Sequence, residues 1–217
     1  MRNWSGENGL KAIETGVGAM EKARRNADRR IERTRQLLRQ ASIEILQEKG
    51  FQATSVQEIA ERANLNRGTF YAHFPDKYAL LESLVRERFE QLVCSLPPVS
   101  SWERREVQQL ICIILEDFRD VYRQCHSLGT ISPLVTEIIQ EELAGLLLSW
   151  LQELKKGARW GTVAKETVAR AMSWAIIGEA LQWSKEPGRA SSDQVAHDLL
   201  ALLLEGVEHL APAARAE

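Results

Sequence analysis

Residues 54–77 read TSVQEIAERANLNRGTFYAHFPDK and combine two short helical patterns with a three-residue turn between them. Ser55 is followed three residues later by Glu58, a capping-box pattern that predicts the start of the first short helix. Asn64 tolerates left-handed backbone better than most residues, and Asn66 can cap the helix that follows. The stretch therefore predicts two helices joined by a tight turn, which is the layout of a helix-turn-helix.

The second of these helices carries a high density of polar side chains. Its hydrogen-bonding residues are Asn66, Arg67, Thr69, Tyr71 and His73. Gly68 removes a side chain near the helix N-terminus, where a phosphate group can then approach the free N–H groups. Phe70 and Phe74 lie one turn apart and form a packing face instead. Because the second helix of such a motif enters the major groove of duplex DNA, the pattern predicts a DNA-binding surface.

The same stretch resembles the signature of the TetR family of transcriptional regulators, which is roughly T-[ST]-V-x-x-I-A-x-x-A-G-V-S-x-G-T-x-Y-x-H-F-x-x-K. The match covers residues 54–77, and with the flanking helices the resemblance extends over residues 30–94. Residues 64–66, Asn-Leu-Asn, stand where the family usually has Gly-Val-Ser. These departures keep the turn and the cap, because Asn supports both, but they bear on which operator is read.

The resemblance implies an all-α fold, with an N-terminal three-helix helix-turn-helix domain and a larger helical domain for ligand binding and dimerisation. The corresponding boundaries are a flexible polar extension over residues 1–28, a DNA-binding domain over 29–95 and an effector-binding and dimerisation domain over 96–217. Charge agrees with this division. The first 95 residues carry 16 Lys and Arg against 13 Asp and Glu, and the rest carry 12 against 17.

The resemblance also implies roles for individual residues. Arg67 would reach base edges, with guanine as its natural bidentate partner, and Tyr71 would contact a base or a phosphate. The side chains that would hold phosphates and set the register are Ser55, Thr69, His73 and Lys77. The complete predicted DNA-binding set is Thr54, Ser55, Asn66, Arg67, Gly68, Thr69, Tyr71, His73 and Lys77.

A run of basic residues precedes the first amphipathic helix. Its members are Lys22, Arg24, Arg25, Arg29, Arg30, Arg33 and Arg35. Such a run can lie along the DNA backbone or reach into the minor groove. It can equally form a solvated helix face, because Asp28 and Glu32 interleave with it. Both interpretations stay open at this point.

The rest of the sequence predicts helices only, because no alternating strand pattern of useful length occurs. A helix over residues 30–49 is predicted to end at Gly50. Ser100 and Glu103 form a second capping-box pattern, before a helix that ends near Cys125. The other predicted helices cover residues 76–94, 133–156, 163–184 and 192–210.

The last two predicted helices are apolar nearly all round. A helix of that kind is buried on two sides, and a second copy of the chain can supply one of them. Two such helices from each of two chains would close a four-helix bundle, as the resemblance also implies. The alternative is that they are central helices of a monomer. The predicted dimer-interface residues are Met172, Ile176, Leu181, Trp183, Leu199, Leu203 and Val207.

Five of the six tryptophans lie after residue 100, where aromatic side chains can line a pocket for an apolar or aromatic ligand. The predicted effector-pocket residues are Trp102, Cys112, Phe118, Tyr122, His126, Trp150 and Trp174. The alternative for each tryptophan is ordinary core or interface packing. The identity and even the existence of an effector rest on the resemblance.

Cysteine and histidine spacing argues against metal and redox chemistry. The three cysteines, Cys94, Cys112 and Cys125, lack zinc-like or redox-motif spacing, and no histidine pairs with a cysteine at the spacing of metal ligands. We therefore predict free thiols, no metal and no cofactor. The sequence shows no signal-peptide pattern and no apolar stretch long enough for a bilayer, which predicts a cytoplasmic protein that does not bind membranes.

These observations predict a transcriptional regulator rather than an enzyme, since no nucleophile–base pair, glycine-rich phosphate loop or carboxylate dyad stands out. The expected activity is repression: a homodimer binds a palindromic operator and responds to a small-molecule effector. The alternative is a helical homodimer that binds a ligand or a protein partner and no DNA.

Overall fold

A computed structural model describes the backbone of residues 7–124, 133–154, 163–186, 188 and 190–210, and the side chains of residues 24–123, 133–153, 163–186, 188 and 190–204. All regular structure in these ranges is helical, as predicted. The α-helices are α1 (Glu7–Ala53), α2 (Val56–Arg62), α3 (Arg67–His73), α4 (Lys77–Val93), α5 (Arg104–Gln124), α6 (Pro133–Leu154), α7 (Lys165–Lys185) and α8 (Ser192–Leu210). A 3-10 helix, Val99–Ser101, precedes α5. The chain divides into two compact units, Met1–Lys77 and Tyr78–Glu217.

Helix α1 begins at Glu7, so the predicted start near Arg30 is wrong. The residues before Arg30 are rich in Ala, Glu, Lys and Arg, whose helix propensity outweighs that of the glycines among them. Hydrogen bonds within a helix need no tertiary partner, which is why this part is helical although residues 24–33 are exposed. Near the other end, Gly50 adopts φ 78°, which interrupts the helix at the predicted position.

The first unit is built by α1, α2 and α3, which contact one another in all three pairs. Its buried apolar residues from these helices are Leu38, Ala41, Ile45, Ile59, Ala60 and Phe70. The rings of Phe70 and Phe74 lie 5.9 Å apart, with both side chains buried, which confirms that they form a packing face. The α2–α3 pair is therefore held by a small shared core that leaves the opposite side of α3 free to face outward.

The predicted local signals around the turn are confirmed. Ser55 and Glu58 form a reciprocal capping box at the start of α2. Asn64 adopts φ 54°, the left-handed conformation expected at the turn. The Asn66 side chain accepts a hydrogen bond from the Gly68 N–H at 2.8 Å and caps α3. The two caps and the left-handed turn each depend on residues close together in the sequence, which is why the sequence alone indicated them.

Helix α7 lies at the centre of the second unit, where it contacts α5, α6 and α8. The apolar core joins residues of α4 to α8 in one cluster, including Phe89, Leu115, Leu147, Ile176 and Leu200. A buried polar pair also crosses this core, because the Gln140 side chain donates to the Ser173 hydroxyl at 2.9 Å. The sides of α7 that the sequence predicted to be buried are thus covered largely by α5 and α6 of the same chain.

The predicted capping box of Ser100 and Glu103 is wrong. Residues 99–101 form a 3-10 turn, and the Trp102 indole N–H donates to the Pro97 carbonyl at 2.7 Å. Helix α5 begins one turn later, where the Glu106 carboxylate accepts from the Glu103 N–H. The buried Trp102 anchors the preceding turn, and this tertiary constraint overrides the local pattern. Within the described ranges, no helix is long and apolar enough to cross a membrane.

Candidate nucleic-acid interface

Ion pairs between α1 and α2 fix the direction in which α2 runs. Lys49, near the end of α1, pairs with Glu58, and Arg62 makes two parallel 2.9 Å hydrogen bonds to Glu48. The Arg62 guanidinium also reaches Glu44, at 3.5 Å. Later positions in α2 therefore lie opposite earlier positions in α1. The helix runs back along α1, and the turn that follows delivers the start of α3 to the side nearer the α1 N-terminus.

Lys77 fixes the other end of α3. Its ammonium group donates to the carbonyls of Phe51 at 3.1 Å, Gln52 at 3.4 Å and Thr54 at 2.9 Å. It also lies 4.7 Å from the centroid of the Phe51 ring. The chain that leaves α3 is thereby tied to the C-terminal end of α1, so α3 points from the middle of α1 towards its end.

The outward face of α3 presents the Arg67–Tyr71 pair. Both residues are exposed, and Tyr71 retains 45% of its accessible surface. The Arg67 guanidinium donates to the Tyr71 hydroxyl at 3.0 Å and lies 5.4 Å from the centroid of its ring. A planar donor group is thus held beside an aromatic ring on the protein surface, an arrangement that suits contact with base edges and phosphates.

Gly68 lies exposed at the front of the same helix. A Cβ atom built there would meet only the Asn66 side-chain oxygen, at 3.4 Å, which is an ordinary van der Waals distance. Its φ is not in the left-handed region, so the fold itself does not require glycine. The missing side chain leaves the backbone at the N-terminus of α3 open to an approaching molecule.

Two residues of the predicted DNA-binding set do not fit that role. Thr54 is only 3% exposed, and its hydroxyl donates to the Gly50 carbonyl at 2.7 Å, so the side chain lies inside the fold. Lys77 is partly buried, and three backbone carbonyls already surround its charge. We remove both from the proposed contact set, because a group satisfied inside the protein gains little from a phosphate.

The other members of that set have accessible surface. Ser55, Asn66, Arg67, Gly68 and Tyr71 are exposed, and Thr69 and His73 are partly exposed. The Ser55 hydroxyl also donates to the Glu58 carboxylate at 2.8 Å. The hydrogen bonds from Lys49 and Ser55 lower the pKa of Glu58 to about 2, so its carboxylate stays charged and holds the cap in place.

The family model for bacterial regulatory proteins of the tetR family matches residues 38–84, which span this motif and its flanking helices. The chain belongs to the TetR family. Among curated relatives, it is 29% identical over 92 residues to the uncharacterised HTH-type transcriptional regulator YxbF of Bacillus subtilis, which covers 41% of this chain and 24% of YxbF. The chain thus spans about a quarter of that relative's length.

Another relative aligns over nearly its whole length. The HTH-type transcriptional repressor DhaR of a Mycobacterium species is 24% identical over 194 residues, covering 81% of this TetR-family chain and 95% of DhaR. A TetR regulator structure from Streptococcus agalactiae superposes with a TM-score of 0.59 at 21% identity, covering 85% and 98% of the two chains. Thermus thermophilus FadR, a TetR-family repressor solved with lauroyl-CoA, gives 0.54 at 25% identity, covering 84% and 98%.

The predicted dimer residues of this TetR-family chain occupy different environments. Met172, Ile176 and Trp183 are at most 2% exposed within the single chain, so they belong to its own core and cannot also meet a partner. Their prediction as interface residues is therefore corrected. Leu181, Leu199 and Leu203 are partly buried and pack against the same core. Val207 lies outside the described side chains.

The residue that does face outward on α7 is Trp174, with 50% of its surface exposed. Trp174 therefore lies outside the buried cluster that holds Trp102, Phe118 and Trp150, the other described aromatic residues of the predicted pocket apart from Tyr122. Ala171 and Gly178 are exposed on the same helical face, and around Gly178 there is open space. Leu202 of α8 is 69% exposed as well. The exposed residues Ala171, Trp174 and Gly178 of α7 define an apolar surface, here called the Trp174 face.

Four of the other predicted pocket residues belong to the core of the second unit or pack against it. Trp102, Phe118 and Trp150 belong to one buried cluster, with the partly buried Cys112 packed against it. Burial, followed by the charges of Asp193 and Glu116, raises the pKa of the Cys112 thiol to about 11, so it stays protonated and unreactive. Tyr122 is partly buried on α5, and His126 lies outside the described residues.

Two hydrogen-bond donors in this core lack acceptors in the described structure: the indole N–H of Trp150 and one terminal nitrogen of Arg119. Arg119 stacks on the ring of Trp183, and burial lowers the pKa of its guanidinium. The sequence did not indicate Arg119, because a stacking contact between α5 and α7 leaves no local pattern. Among the described residues, no group of three or more His, Cys, Asp or Glu is arranged to hold a metal ion.

Proposed function

We propose that this TetR-family chain is a transcriptional repressor that binds a palindromic operator as a homodimer. The observation that carries the proposal is the outward face of α3, where the Arg67–Tyr71 pair and the bare backbone at Gly68 project from a capped helix. The fold places buried apolar residues on the opposite side of α3 and leaves these polar groups unpaired with the core. The relatives DhaR and Thermus thermophilus FadR, which are named repressors, support the direction of regulation.

Arg67 is proposed to read a base edge through two parallel N–H groups, and Tyr71 to contact the neighbouring base or phosphate. Asn66, Thr69 and His73 hold phosphates around them. The backbone at Gly68 has no side chain, so a phosphate is proposed to approach the start of α3 closely there. Two such helices, one from each protomer, meet half-sites about 34–36 Å apart on one side of the duplex.

The Trp174 face is the proposed dimer contact. A half-exposed tryptophan beside Ala171 and Gly178 gives an aromatic anchor flanked by small residues, which lets a second helix approach closely. The corresponding surface of the partner is the same face, as a two-fold dimer requires. This assignment replaces Met172, Ile176 and Trp183, which the chain's own core already covers.

The unpaired donors of Arg119 and Trp150 support an effector that combines an apolar part with an anionic acceptor group. A buried guanidinium N–H without an acceptor is costly, and an anionic group of the effector that accepts from it removes that cost. Lauroyl-CoA, the ligand of the Thermus thermophilus relative, has this chemistry and is a suitable probe. We expect lauroyl-CoA, or failing that free laurate, to quench tryptophan fluorescence of the wild type. Arg119→Gln and Trp150→Phe should each weaken that response.

Selection of bound duplexes from a random DNA pool by the full-length chain tests the central proposal. We expect enrichment of a palindrome whose half-sites are about 10 base pairs apart, with binding that weakens steeply as salt rises. The Arg67→Ala variant should no longer enrich the palindrome. The Arg104→Gln variant, with the same change in charge at an exposed position of α5, should still enrich it. Failure of the wild type to enrich any sequence would overturn the proposal and favour a helical ligand-binding or partner-binding module.

A further inference from the structure

The exposed part of α1 carries a continuous stripe of arginines. Arg25, Arg29 and Arg33 follow one another at intervals of four residues, so they share one face of the helix over about 12 Å. All three are exposed, and none has an ion-pair or hydrogen-bond partner among the described residues. These three residues are called the arginine stripe below.

Two acidic residues lie in the same part of α1 as this stripe. Asp28 and Glu32 lie to one side of it by helical periodicity, and Glu32 pairs with Arg39 at 3.2 Å instead. Residues 24–35 carry six arginines and only these two acids, a local excess of positive charge. An unpaired cationic row of this kind lowers its free energy by meeting a row of anions.

The stripe lies towards the same end of the first unit as the DNA-reading end of α3. The pairs Lys49–Glu58 and Arg62–Glu48 show that α2 runs back along α1, which brings the start of α3 towards the α1 N-terminus. The contacts of Lys77 hold the other end of α3 near Phe51. DNA in contact with Arg67 therefore extends towards the exposed part of α1.

We propose that the arginine stripe binds the phosphate backbone of the DNA that flanks the site read by α3. This inference rests on the proposed function, because it takes the DNA-bound protein as its starting point. The contacts are sequence-independent, since three guanidinium groups in a row match successive phosphates and no base edge is involved. The result is a footprint longer than the two half-sites.

Duplex DNA fits this surface better than a membrane does. A helix that lies on a bilayer needs a broad apolar face opposite its basic residues. Residues 24–33 are exposed all round, and their only apolar members are Ala27 and Ile31. Such a helix offers charge without an apolar anchor, which suits a phosphate backbone.

The test compares the full-length wild type with a variant in which Arg25, Arg29 and Arg33 are all replaced by glutamine. Each protein is titrated with the selected operator alone and with the same operator extended by about 10 base pairs on each side. In the control variant, glutamine replaces three exposed arginines of the second unit, Arg104, Arg105 and Arg170. The control therefore has the same change in charge as the stripe variant. Circular dichroism reports whether each variant is folded.

We expect the wild type and the control to bind the extended duplex about 10-fold more tightly than the short one, and the stripe variant to show no such difference. The slope of log affinity against log salt should fall by about 0.9 for each phosphate that the variant no longer neutralises, with unchanged sequence preference. An unchanged length dependence and salt slope in the stripe variant would overturn the inference while the proposed function stands. Weaker binding to phosphatidylglycerol vesicles, with DNA binding intact, would assign the stripe to a membrane instead.

Failure of the proposed function has a different signature. In that case the wild type itself selects no sequence and shows no difference between the two duplexes, and the inference falls with it. The other informative result is a stripe variant that binds the short operator as tightly as the wild type does and binds the extended operator no more tightly than the short one. That result supports both the proposed function and the role of the arginine stripe.

Discussion

The Arg67 guanidinium donates a 3.0 Å hydrogen bond to the hydroxyl of Tyr71, one turn further along α3. The two side chains also stack, with the guanidinium carbon 5.4 Å from the ring centroid. Each side chain therefore restricts the rotamers of the other before any DNA arrives. Since ordering a long side chain on binding costs free energy, this pairing prepares Arg67 for contact with a base.

Replacing Arg67 and Tyr71 tests this preparation. Arg67→Ala should weaken operator binding by about 1–3 kcal/mol and relax base preference, because alanine cannot make the bidentate hydrogen bonds to a base. Tyr71→Phe keeps the ring but removes the acceptor, so we expect a smaller effect. Gel-shift titration at fixed salt measures both. Operator binding by Arg67→Ala that is as tight and selective as that of the wild type would contradict the assigned role.

Gly68→Ala should raise the stability of the fold and lower the affinity for DNA. A methyl group fits the free protein, and alanine restricts the unfolded chain more than glycine does, so we expect a gain in stability of about 0.4–1 kcal/mol. The same methyl group stands where a phosphate approaches, so operator affinity should fall about 10-fold, or about 1.4 kcal/mol. Urea unfolding and gel-shift titration measure the two effects. A variant with undiminished affinity would show that no phosphate comes close to Gly68.

Lys77→Met should affect stability more than DNA binding. The substitution leaves the carbonyls of Phe51 and Thr54 without their shared donor, at a cost of about 1–3 kcal/mol. Lys49→Met removes an exposed pair and should cost less than about 1 kcal/mol. Urea unfolding gives both values. A decrease in operator affinity in Lys77→Met without a decrease in stability would restore the phosphate role that the sequence suggested.

Glu58 makes part of the stability depend on pH. Its pKa is lowered from 4.5 to about 2 in the folded chain, so its ionised form stabilises the fold above about pH 4.5. That contribution declines as pH falls from 4.5 towards 2. Glu58→Gln keeps a capping acceptor but has no charge, so the wild type should be the more stable protein at neutral pH. Unfolding curves should converge at acid pH, and a gap independent of pH would contradict the assignment.

Trp174→Arg should produce folded monomers. Trp174 is half exposed in the single chain, so its replacement leaves the core intact, whereas a charged group on both sides of the proposed contact disfavours association. We expect the dimer dissociation constant to rise about 30-fold or more, equivalent to about 2 kcal/mol. Light scattering across a concentration series measures the mass. Gln109→Arg, on the exposed side of α5, is the control and should behave as the wild type.

Features that depend on neighbours in the sequence were predictable. The caps at Ser55 and Asn66 and the left-handed turn at Asn64 follow from side chains that bond backbone groups two or three residues away. The packing of Phe70 against Phe74 follows from helical periodicity. The start of α1 was not predicted, because the segment before Arg30 has several glycines and no apolar face, although its Ala, Glu, Lys and Arg residues favour a helix.

The sequence by itself determined the two helices of the helix-turn-helix, the turn between them and the side of α3 that faces outward, because those depend on interactions a few residues long. Only the tertiary structure decided that the Lys77 ammonium donates to the Thr54 carbonyl just after α1. It also decided that Met172 faces the core and Trp174 the surface, and that Arg119 stacks on Trp183. Helix α7 is apolar around most of its circumference, so its composition cannot distinguish inside from outside. The positions of α5, α6 and α8 make that distinction, because these helices pack against α7 and leave the side that carries Trp174 exposed.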